Sequence, residues 1–181
     1  NFKKANDMFF EKYNRVKGIE YKPRVDPRIQ ELTTMTGELE LKLHDQPNMV
    51  ATADLAKAYL VKWKEITAQI KSVDRQMAER FRNVCDKIFE MNYLLRVISY
   101  RHPALNEKPR IEQLKIMINQ MDYMTKKERG ELDDFIAQAE RDRQMEEKPI
   151  ISKINTQKRK ISMKELLLTG FKAELDAILN A

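Results

Sequence analysis

Glycine, proline and cysteine are all scarce in this sequence, at four, six and one among 181 residues, and each shortage closes off a class of structure. Few glycines leave few positions tolerant of positive φ, which disfavours phosphate-cradling loops, dinucleotide-binding turns and folds built from many tight β-hairpins. One cysteine, Cys85, makes no intrachain disulfide. With only two histidines, His44 and His102, it assembles no Cys/His zinc site. A reducing, intracellular and cytoplasmic location is the expectation. No run of about 18 uncharged apolar residues appears, and Asn1-Phe2-Lys3-Lys4 opens no apolar leader, so the reading is of a chain that neither spans nor targets a membrane.

Catalytic motifs are missing as well. There is no phosphate-binding Gly-rich loop, nucleophile elbow, paired-His metalloprotease helix or calcium-binding loop. Neighbouring acids such as Asp133-Asp134 point in different directions on a helix, while Glu128, Glu131 and Asp134 alternate with Lys and Arg as a solvated face does. The expectation is a protein that is not an enzyme, with no cofactor, metal or small-molecule substrate.

What the sequence has in abundance is helical periodicity. Ala5, Met8, Phe9, Tyr13 and Val16 predict a first helix over 3–17, closed by Gly18. Pro23 and Pro27 mark an extended linker, after which Asp26 caps a second helix with Pro27 at its first position. Ile29, Leu32, Thr36, Leu39 and Leu43 give that helix one apolar face, which ends at Pro47.

Between Asn48 and His102 there is neither glycine nor proline. Leu55, Tyr59, Trp63, Ile66, Ile70, Val73, Met77, Phe81, Val84, Ile88, Met91, Leu95 and Ile98 form one stripe of threes and fours. The stripe predicts a single helix over 52–100, about 70–75 Å long at roughly 1.5 Å per residue. The polar stretch from Lys71 to Gln76 is where a kink would fall. The stripe broadens toward its C-terminal end with Cys85, Phe89, Leu94 and Val97, so Ile88 and Leu95 are expected in a packed core. The narrower first half, Leu55, Tyr59, Trp63, Ile66, Ile70 and Val73, is expected to form a seam that another chain completes.

Beyond His102-Pro103, a shorter helix carries Ile111, Leu114, Met117, Ile118 and Met121. Thr125-Lys-Lys-Glu128 then has the pattern of a capping box opening a helix over 126–147, with Pro149 ending it. A basic connector follows to Ile161. Ser162-Met-Lys-Glu165 is a second capping box ahead of a final amphipathic helix. The architecture expected is all-α: an extended bundle on one long central helix with shorter antiparallel helices. Its organisation reads as a basic helix and linker (1–27), a bundle core (28–147), and a basic connector with a C-terminal helix (148–181).

Charge is unevenly spread about the net +6. Residues 1–28 carry a surplus of four cations and 29–147 a deficit of two. Residues 148–164 hold Lys148, Lys153, Lys158, Arg159, Lys160 and Lys164 with no acid. Lys153, Lys158, Arg159, Lys160 and Lys164 are therefore the candidate anion contacts. Two functions follow. The first is a helical scaffold or adaptor that binds protein partners, or a second copy of itself, through helix seams. The alternative is a nucleic-acid accessory protein gripping phosphates through 1–28 and 148–164.

Overall fold

The computed structural model describes residues 26–180, together with Met8 and Lys12. The helix expected over 3–17, the linker after it, and Tyr13 and Tyr21 lie outside the described residues, as does most of the basic segment 1–28. Among the described residues there are five helices and no strand: α1 (Pro27–Lys42), α2 (Met49–Thr67), α3 (Arg75–Ser99), α4 (Arg110–Arg141) and α5 (Lys148–Leu179). This is the all-α bundle that the periodicity implies. Among the described residues no helix is long and apolar enough to cross a membrane.

The start of α1 follows from its sequence. The Asp26 carboxylate accepts the Arg28 amide at 2.9 Å, and Pro27 occupies a first-turn position where no amide is needed. The Arg28 guanidinium also donates to the Gln69 carbonyl at 2.7 Å, tying the beginning of α1 to the segment after α2. Leu32, Met35, Thr36 and Leu39 are the buried face, and the Thr36 hydroxyl is satisfied inside the core by the Leu32 carbonyl at 2.8 Å.

The stretch 52–100 is helical over most of its length but is two helices rather than one, with the division in the polar segment where a kink was anticipated. α2 ends at Thr67 and α3 starts at Arg75, where the Asp74 carboxylate accepts the Met77 amide at 3.0 Å. That side-chain acceptor replaces the carbonyl a continuous helix would have supplied. The break lets the two halves of the apolar stripe cover each other. Trp63 of α2 stacks on Phe81 of α3 with ring centroids 4.0 Å apart and planes 6° from parallel.

α3 is the central element, since it packs against each of the other four helices. Ile88, Leu94 and Ile98 from α3 meet Leu32 and Leu39 from α1, Ala56 from α2, Leu114, Met117 and Met121 from α4, and Leu167 and Phe171 from α5. Cys85 is buried here, and burial pushes its thiol up to about 12.

The second half of the chain is simpler than its local signals suggest. Residues 110–141 form one helix, and the expected start at Thr125 lies in its interior, where the Thr125 hydroxyl donates back to the Met121 carbonyl at 2.8 Å. Residues 148–161, expected as a connector, are the first half of α5, and Ser162 lies inside that helix. Pro149 sits in the first turn of α5, so it opens this helix rather than closing the one before. α4 ends instead at a left-handed residue, Arg143, with φ of 56°. There the Gln144 amide bonds the Ala139 carbonyl and the Arg143 amide bonds that of Glu140. This is the paired closure usually completed by glycine.

Candidate interaction surfaces

The seam residues, four on α2 and two in the segment after it, are used within the chain. Ile66 is buried at 7% exposure, and Leu55, Tyr59, Trp63, Ile70 and Val73 are half-buried against the main core. The partner expected from another chain is supplied by α1 and α3. Leu95, expected in the packed centre, is half-buried, while Ile88 is fully buried. Tyr59 donates its hydroxyl to Glu38 of α1, which lifts the phenol from 10.0 to about 12, with burial adding to the effect.

The five candidate anion contacts do not form one block. Lys164 is 1% exposed, and its ammonium lies 2.5 Å from Glu90 Oε2 and 2.9 Å from Glu128 Oε2. Gln157 donates to the same Glu128 oxygen at 3.2 Å, so three helices converge on one buried charged cluster. Arg159 is engaged too, donating to Asp86 Oδ2 at 2.5 Å and to Asn83 Oδ1 at 2.9 Å. Both side chains fasten α5 to α3. Lys153 lies over the Phe135 ring with its ammonium 3.9 Å from the centroid. Lys158 and Lys160 are exposed. The physical reason for the split is helical: once 148–164 is part of α5, consecutive cations point to different sides, and two of the five meet acids of α3 and α4.

Where α4 and α5 run together away from the central packing, Leu132, Ile154 and Ile161 form a second, smaller core, filled in by Phe135, Ile136, Met145 and Ile150. Every one of these belongs to α4, α5 or the turn between them. This end is an antiparallel helical hairpin with its own core, and its halves differ in charge. Residues 131–147 carry seven acids and two cations, whereas 148–164 carry six cations and no acid.

A third surface was missed in the sequence. The C-terminal half of α3 and the two residues after it expose Tyr93, Arg96, Tyr100 and Arg101, with Arg96 over the Tyr93 ring at 5.5 Å. A cleft of about 740 Å³ separates this end of α3 from α4. Its cations form no basic run, because they are spread at helical spacing among apolar residues. The signal that marks it is an interval without acids, from 91 to 106.

Among the described residues no group of histidine, cysteine and acidic side chains is arranged to hold a metal ion, and no buried side-chain polar atom lacks a partner. No protein-family model, curated protein or solved structure matches the chain.

Proposed function

We propose that this protein is a non-enzymatic α-helical scaffold or adaptor that holds other chains by helix-on-helix contact. The observation that carries the reading is the α4–α5 hairpin end. Each helix has 32 residues, about 48 Å at roughly 1.5 Å per residue, yet the separate core of this end contains only three buried apolar side chains. Two helices packed on one side leave their outer faces available, and amphipathic helices gain most of their stability from tertiary partners. The acid-rich α4 side and the acid-free α5 side give an incoming helix a direction in which to lie, as flanking charges do in paired helices. Ile151, 42% exposed on α5, supplies an apolar contact beside them.

The test is photo-crosslinking in the native cell from positions 151 and 155 on α5, with position 61 on α2 as the control. An adaptor gives discrete adducts from the hairpin positions, either with another protein or with a second copy. Light scattering across a concentration series separates those two cases. Equal, diffuse labelling from all three positions would sink the proposal.

The alternative, phosphate binding through 1–28 and 148–164, keeps Lys148, Lys153, Lys158 and Lys160 as exposed cations in its second segment, while Arg159 and Lys164 are committed to acids of the fold.

A further inference from the structure

We infer that the cleft between the C-terminal half of α3 and the middle of α4 is a binding site for single-stranded nucleic acid. The inference stands apart from the adaptor reading, since it concerns the other end of α3 and none of the hairpin residues.

Two tyrosines face solvent at this cleft. Tyr100, near the end of α3, is 84% exposed, and Tyr123, on α4, is 62% exposed. An exposed tyrosine ring offers a flat π surface on which any base stacks, and two rings on opposite walls provide for successive bases. Val97 and Ile116 give the cleft an apolar floor. Asn119, Gln120 and His102 place hydrogen-bonding groups beside it, of the kind that meet base edges.

Charge identifies the ligand more narrowly. Residues 91–106 and 113–121 contain no aspartate or glutamate, in a chain that is 34% charged. Among the described residues Arg101, which lines the cleft, lies within ion-pair distance of no carboxylate, and neither does Arg96, which lies outside the cleft on a neighbouring face. Lys115 is exposed on the adjoining face of α4. The nearest acid following the α4 stretch, Asp122, is held by Lys126 at 2.7 Å. Arginine, tyrosine and uncompensated positive charge along an open cleft match a flexible phosphate backbone with splayed bases. A duplex hides its base faces, so it engages only the cations.

The experiment is fluorescence anisotropy on the full chain with a labelled oligothymidylate of about 20 nucleotides, the matching oligouridylate, and a duplex of the same length. The single strands should bind more tightly than the duplex. Tyr100→Ala and Tyr123→Ala should each weaken single-strand binding about tenfold, whereas Tyr100→Phe, which keeps the stacking face, should bind as the parent does. Arg101→Gln should flatten the log-affinity against log-salt slope by about 0.7, and the tyrosine changes should leave that slope alone. Circular dichroism melts should be unchanged for all four variants, as these side chains are exposed. Failure of the parent protein to bind either single strand at low salt would overturn the inference. So would tyrosine variants that bind normally while Lys158→Gln with Lys160→Gln does not. Competition by polyglutamate as strong as that by unlabelled oligonucleotide would assign the cleft to an acidic protein instead.

Discussion

Lys164 shows how a residue's chemistry and its sequence context diverge. It stands in an acid-free segment, yet its ammonium is enclosed by Glu90 and Glu128, carboxylates that lie 74 and 36 positions earlier in the chain. Nothing local announces those partners. Removing it strands the buried Glu90 beside the half-buried Glu128, so Lys164→Ala should lower stability by about 3 kcal/mol in urea unfolding. Replacing all three members by apolar residues of similar volume should recover most of that loss, because the desolvation cost of the charges disappears with them. Tyr59 offers a check through pH. Its phenol is raised from 10.0 to about 12 by the bond to Glu38. A raised folded value means the contribution is fully present below pH 10 and is lost as pH climbs through 12. Tyrosinate absorbance should therefore include a late-titrating phenol, and Tyr59→Phe should remove both that step and its share of the alkaline loss of stability.

At the scale of elements, periodicity identified which residues are apolar and helical but not where helices stop. The stripe from Leu55 to Ile98 is continuous on paper because apolar steps persist across the polar segment, and Ile70 and Val73 still pack on the core after α2 has ended. Tertiary packing decided the break: two covering halves bury more than one exposed rod. Asp74→Ala should cost about 1 kcal/mol through loss of the Met77 cap, read as a lower midpoint in thermal unfolding. The capping patterns at Thr125 and Ser162 misled for the complementary reason. The Thr125 hydroxyl bonds back along an uninterrupted helix instead of capping one, Ser162 is exposed inside α5, and no proline stands nearby to force a break at either. The true end of α4 uses Arg143 where glycine is the better residue. Arg143→Gly should raise stability by about 1 kcal/mol, measured the same way, since the left-handed conformation disfavours a side chain.

For the whole molecule, the apolar side chains divide into two cores of unequal size, and this division governs where the chain opens. The main core draws on all five helices, whereas the hairpin core has only Leu132, Ile154 and Ile161 fully in place. The two are joined mechanically through the buried Lys164 cluster and the Arg159 bonds, which sit where α5 passes from one to the other. Local opening tracks the number of buried apolar contacts, so amide exchange should separate into two classes. Amides over 132–160 should exchange through a low-energy opening of the hairpin end, while those near Ile88, Leu94 and Leu114 should exchange only on global unfolding. Leu132→Ala, which removes one of three buried side chains, should speed exchange across the hairpin end and leave α1, α2 and α3 unchanged. Leu94→Ala should instead cost about 2–5 kcal/mol and speed exchange in every helix. Mass-spectrometric hydrogen exchange on both variants decides the matter: uniform acceleration by Leu132→Ala would mean that the two cores unfold as one unit, and that α4 and α5 transmit a change at the hairpin tip to the centre of the bundle.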